Sequence, residues 1–108
     1  MTPEEKRIAI AEACGWTCFK EEIKPAITYL WACPLGVEGD FDIVPDYIND
    51  LNAMHEAEKV LTEKQRLYFH VYLTKMTRSD QSAGFWGLIH ATAAQRADAF
   101  LMTIGKLK

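Results

Sequence analysis

Ala26-Ile27-Thr28-Tyr29-Leu30-Trp31-Ala32-Cys33 is the stretch on which the fold turns. On an extended chain Ile27, Tyr29 and Trp31 share one face, and Thr28, Leu30 and Ala32 share the other. β-branched and aromatic residues at a period of two predict a strand over 27–33, which Pro34 ends. Leu35-Gly36-Val37-Glu38-Gly39 then reads as a turn. Phe41-Asp42-Ile43-Val44 reads as a short second strand, so 27–33 and 40–44 are expected to form a hairpin.

Outward from this hairpin the pattern is helical. Thr2-Pro3-Glu4-Glu5 is a helix start, with Thr2 as cap, Pro3 in the first turn and Glu5 at the capping-box position. That helix is expected to run to Cys14, and Gly15 stops it. Trp16 should pack over its end. Asp46 is expected to cap a helix through Leu61, directly after Pro45. Thr62 opens another, with Gln65 three residues on, and it carries Leu67, Tyr68, Val71, Tyr72 and Met76. Residues 78–82 read as a loop and Phe85–Ile89 as the centre of a third strand over 84–90. Thr92-x-x-Gln95 is a further capping box, opening a helix to 104 that Gly105 ends. The order α-β-β-α-α-β-α predicts an α+β fold, a small sheet of about three strands covered by the 46–61 and 92–104 helices. Burial is expected at Trp16, Trp31, Leu51, Met54, Trp86, Ala97, Phe100 and Leu101.

The 108 residues suit a single domain, 1–108, and 49% hydrophobic residues suffice for a core. No apolar run approaches the roughly 18–20 residues of a membrane span. The charged start Met-Thr-Pro-Glu-Glu-Lys-Arg is unlike a signal peptide, and three cysteines without one suggest reduced thiols and a cytoplasmic location. Residues 1–54 carry ten acids against four bases, and residues 55–108 eight bases against five acids. No basic cluster is dense enough to neutralise many phosphates, so nucleic acid is not an expected partner. Cys14 and Cys18, with Cys33 and a histidine, would make up a zinc set. Without a second paired cluster, buried structural thiols are the expectation, and neither a metal nor a cofactor is expected.

The 46–61 helix has polar residues in unexpected places. At about 100° per residue, Tyr47, Leu51, Met54, Ala57 and Leu61 fall on one arc. Asp50 lies within that arc and Glu58 at its edge, and a buried acid needs a partner. Two readings of Asp50 stand open. Near the helix start it can accept from free amides. Alternatively it anchors a cation such as Arg96 or lines a pocket. The opposite side collects Asn49, Asn52, Glu56 and Lys59, with His55 on its border. Amide side chains both donate and accept, which suits a nucleobase, ribose or peptide. His55-Glu56-Ala57-Glu58-Lys59 fails the zinc-protease pattern because Lys59 stands where the second histidine is needed. No nucleophile can be set beside His55, so no catalytic residues are assigned. His90, Thr92, Gln95 and Arg96 surround a helix start that either holds an anion or is capped internally.

Three motifs together resemble a family of small proteins from bacteriophages, prophages and gut metagenomes, similar to the phage ABA-sandwich domain. They are Ile8-Ala9-Ile10-Ala11-Glu12-Ala13-Cys14-Gly15-Trp16, then Val44-Pro45-Asp46-Tyr47-Ile48-Asn49-Asp50-Leu51-Asn52-Ala53-Met54-His55-Glu56-Ala57-Glu58, and Ile89-His90-Ala91-Thr92-Ala93-Ala94-Gln95-Arg96-Ala97-Asp98-Ala99-Phe100-Leu101 with Thr103-Ile104-Gly105. The chain departs from such proteins at its end, where Lys106-Leu107-Lys108 replaces an aromatic. The resemblance implies a sheet between helices and a phage accessory protein that acts on host machinery, and it implies no established activity.

The expected function is therefore a non-enzymatic protein that binds or sequesters a small, nucleotide-derived ligand to counter host defence, as a possible homo-oligomer. Two other readings remain open: an anti-CRISPR-like inhibitor that binds a host protein, and a small nucleotide hydrolase using His55 and Glu56. The expected binding surface joins Asn49, Asn52, His55 and Glu56 with His90, Thr92, Gln95 and Arg96.

Overall fold

The computed structural model describes residues 1–23, 26–33, 38–39, 41–77 and 91–107. The elements in chain order are α1 (Pro3–Ala13), β1 (Thr17–Ile23), β2 (Ala26–Ala32), β3 (Glu38–Gly39), a 3-10 turn (Phe41–Ile43), α2 (Leu51–Glu58), α3 (Glu63–Thr77) and α4 (Ala93–Thr103). The class is α+β: four helices and an antiparallel sheet of order β1-β2-β3 among the described residues.

The local start and stop signals operate as the sequence predicts. The Thr2 hydroxyl accepts from the Glu5 N–H at 3.1 Å. Thr62 with Gln65, and Thr92 with Gln95, form reciprocal capping boxes, each with the glutamine Oε1 accepting the threonine N–H at 2.9 Å. Gly15 and Gly105 have φ of 93° and 80°, the left-handed region that a side chain disfavours. Each glycine closes a Schellman motif: Trp16 N–H donates to Ala11 O at 3.0 Å, and Lys106 N–H to Leu101 O at 2.8 Å.

The sheet differs from expectation in two places. β2 is the predicted 27–33 strand, but its long partner is Thr17–Ile23, in register from Thr17 opposite Ala32 to Ile23 opposite Ala26. The sequence Thr-Cys-Phe-Lys-Glu-Glu-Ile lacks an apolar alternation, and pairing with β2 is what makes it a strand. Phe41–Val44 is not the second strand. The β2 partner there is Glu38–Gly39, with Trp31 opposite Gly39. Phe41–Ile43 instead turns, and Val44 N–H donates back to Phe41 O. The predicted strand over 84–90, with Trp86, lies outside the described residues.

The 46–61 helix shortens to 51–58. Asp46 O accepts from Asn49 and Asp50 N–H groups, which makes a turn, and Asp50 is the cap. Its Oδ1 accepts from Asn52 and Ala53 N–H at 3.0 and 3.3 Å. Tyr47, Met54, Ala57 and Leu61 of the predicted arc are buried in the core, whereas Asp50 is exposed and Leu51, expected to be buried, is 41% exposed. The reading in which Asp50 anchors Arg96 is corrected by the same geometry.

α4 is the hub of the helices: α1, α2 and α3 all pack on it. Its Ala97, Ala99, Phe100 and Leu101 are fully buried, against Ile10 and Ala11 of α1, Met54 of α2 and Leu73 of α3. An alanine-rich core helix lets its three neighbours approach closely. The sheet joins this body at Trp31, 6% exposed, whose ring lies 5.7 Å from that of Phe41. The expected cover of the sheet by 46–61 and 92–104 therefore gives way to a helical body centred on α4, with the 41–43 turn at the seam. Arg7 of α1 secures that seam. Its guanidinium donates to the carbonyls of Phe41, Val44 and Pro45 and lies 4.3 Å from the Phe41 ring centre.

Candidate functional site

The predicted surface separates into three places. Asn49 sits on the turn before α2, where its Nδ2 donates to Asp46 Oδ2 at 3.0 Å. It borders a groove of about 420 Å³ with Pro3, Glu4, Arg7, Phe41, Asp46 and Ile48. The one cation there, Arg7, is already committed to three carbonyls, so that groove offers no free charge for an anion among the residues that line it.

Thr92, Gln95 and Arg96 lie at the start of α4 and are all engaged. The capping box uses the Thr92 and Gln95 side chains and the N–H groups of the same two residues. Arg96 Nη1 meets Glu58 Oε1 at 2.8 Å, with side chains only 15% and 18% exposed. Glu58, noted in the sequence only as an acid at the edge of an apolar arc, is thus the partner that Arg96 has. Asp50 is not. Glu58 Oε2 and Arg96 Nε are buried and have no hydrogen-bond partner among the described residues. This ion pair does bring the end of α2 against the start of α4, as the shared-surface reading requires. Asn52 and His55 are exposed on α2, and His90 lies outside the described residues.

Glu56 belongs elsewhere. Two residues along a helix turn the side chain by about 200°, so Glu56 points to the flank of α2 away from Glu58 and Arg96. There it borders a groove of about 320 Å³ with Cys14, Trp16, Pro45, Tyr47, Ala53, Ala57 and Val60. The Schellman turn at Gly15 places Trp16, half-buried, immediately beyond α1. Tyr47 is 3% exposed. Burial pushes its phenol well above the ordinary range, Cys14 adds to the shift, and Trp16 and Arg7 act against it. Burial likewise raises the Cys14 thiol, while a hydrogen bond from Tyr47 partly offsets this. Both groups are therefore neutral at pH 7, and the groove has an uncharged aromatic wall with one carboxylate at its rim. Glu56 Oε1 accepts from Lys59 Nζ at 2.8 Å, but both side chains are about 70% exposed, so the pair is free to open.

Sequence reasoning named Glu56 and missed its groove. Trp16, Tyr47 and Val60 come from three separate segments, and the signal within reach was an exposed Val60 beside a tryptophan at a helix end. The three thiols are free, and Cys18 is exposed rather than buried. Among the described residues no group of three His, Cys, Asp or Glu gathers as a metal site, and no helix is long and apolar enough to cross a membrane. Comparison with protein-family models, curated proteins and solved structures finds no match.

Proposed function

We propose that this chain is a phage accessory protein that sequesters a small ligand carrying a flat heteroaromatic ring, nucleotide-derived, and that it does so without chemistry. The observation that supports this is the groove between the end of α1 and α2, where Trp16 and Tyr47 stand beside Glu56. Its volume is at the small end of the roughly 300–1,000 Å³ of ligand sites, enough for a base and ribose. An apolar aromatic wall stacks a ring, a carboxylate accepts from an exocyclic amine, and Lys59, released from Glu56, reaches a phosphate. The resemblance of the three sequence motifs supports the phage setting. Arg96 and the α4 start take no part in this reading because each is already engaged.

Calorimetric titration of the protein with adenosine monophosphate and with a cyclic dinucleotide tests it. Saturable binding of one of them at a Kd of about 100 µM or tighter is expected, corresponding to roughly −5.5 kcal/mol. Glu56→Gln and Val60→Glu, both at exposed positions, should weaken it about tenfold or more with thermal stability unchanged. Absence of saturable binding of either compound refutes the proposal.

A further inference from the structure

The groove beside Glu56 can accept hydrogen bonds and has almost none to donate. Among the described residues that line it, the N–H groups of Cys14, Trp16, Tyr47, Ala53 and Val60 all donate to oxygens of the chain itself. Those of the other α2 residues are engaged inside the helix, and Pro45 has no N–H. The side-chain donors are turned on one another: the Trp16 indole pairs with the Tyr47 phenol, and the phenol with the Cys14 thiol, itself a weak donor. The Glu56 carboxylate is left as the open polar group, with two oxygens side by side that only accept.

We infer that the ring this groove takes is guanine, an inference that rests on the reading of the groove as a nucleotide site. The Watson–Crick edge of guanine presents N1–H and N2–H next to each other. Two parallel donors match the two carboxylate oxygens bidentately, the strong form of such a contact. Adenine and cytosine place a ring-nitrogen acceptor beside their exocyclic amine, and uracil flanks its single N–H with two carbonyls. Each of these sets a lone pair against the carboxylate, and no donor of the groove meets it. Lys59 lies outside the groove lining and serves the phosphate in that reading, not the base edge. The Glu56 side chain is exposed, so water competes for it. Discrimination is therefore about tenfold, far below the roughly ten-thousandfold of an enclosed hydrogen-bonding site.

Calorimetric titration with guanosine, inosine and adenosine monophosphates tests the inference. The guanosine compound should bind with a Kd of about 10 µM, roughly tenfold tighter than the adenosine compound. Inosine monophosphate keeps N1–H and lacks the 2-amine, so it should fall between them, about threefold weaker than the guanosine compound. Glu56→Gln sets one acceptor and one donor where two acceptors stood. It should weaken the guanosine compound more than the adenosine compound and bring them within about threefold of each other, with circular-dichroism melting unchanged. The inosine comparison uses the native chain and needs no variant. Adenosine monophosphate bound as tightly as guanosine monophosphate, or a guanosine preference that survives Glu56→Gln, overturns the inference and leaves the groove a site for some other ring. Silence of all three nucleotides overturns it too, and the proposed function falls with it if the cyclic dinucleotide is also unbound.

Discussion

Arg96 and Glu58 offer the sharpest test of how the helical body is held. Arg96→Met removes the cation and leaves Glu58, 18% exposed, against the apolar side of α4. Breaking a fully buried pair costs roughly 3–5 kcal/mol, and the residual exposure here reduces the expectation to about 1.5–3 kcal/mol. Glu58→Leu strands the guanidinium instead and should cost somewhat less, because arginine's stem stays packed and its head can turn to water. Among the described residues Glu58 Oε2 and Arg96 Nε have no partners, so the native arrangement does not recover the full desolvation cost. Replacing both should therefore return stability to within about 1 kcal/mol of native, a coupling of roughly 2–4 kcal/mol. Urea unfolding of the four proteins measures this. At an m of about 1.5 kcal/mol/M, Arg96→Met should lower the midpoint by about 1 M or more, and the double variant by much less. Additive losses would refute the reasoning. Unchanged stability with lost ligand binding in Arg96→Met would return Arg96 to the role of an anion ligand.

Asp50→Ala should lower stability by about 0.5–2 kcal/mol, because it removes the acceptor for the Asn52 and Ala53 amides, and Asp46→Ala should cost less. Thermal melting of the two variants checks the assignment of Asp50 as the cap, and the reverse order would contradict it. Cys14 and Tyr47 have folded-state pKa values raised above their ordinary values of 9.0 and 10.0. Above pH 9 the unfolded chain loses these protons first, so their contribution to stability is full below pH 9 and falls as pH rises beyond it. Chemical denaturation from pH 7 to 10.5 should show that loss, and Cys14→Ala/Tyr47→Phe should flatten it; in the native chain iodoacetamide should label exposed Cys18 well before Cys14, as peptide mass spectrometry would read.

What the sequence made legible was short-range. The caps at Thr2, Thr62 and Thr92, the stops at Gly15 and Gly105, and the β2 alternation each depend on residues within a turn or two. The errors share a cause as well. Asp46 and Asp50 are both good caps after Pro45, and only the folded turn decides between them. Thr17–Ile23 has no strand signature of its own and borrows one from β2. The candidate site fared worse because its contacts span 38 residues in one case, Arg96 to Glu58, and join three segments in the other, around Trp16. Glu56 was found through the polar side of a helix, whereas its surroundings came from α1 and the turn before α2.

The Arg7 side chain ties together two parts of the chain that have little else in common. The stretch 41–45 belongs to neither sheet nor α-helix, yet three of its carbonyls accept from a single guanidinium on α1, 34 to 38 residues earlier. Phe41 O and Pro45 O also accept from the Val44 and Tyr47 N–H groups, but the three bonds to Arg7 exist only while α1 is docked. The opening of α1 and the opening of 41–45 are therefore one event, and amides in both segments should share one exchange rate. During synthesis α1 also has no carbonyls to clasp until residue 45 has followed it. α1 must wait for all of β1 and β2 to follow it before it has these carbonyls to join.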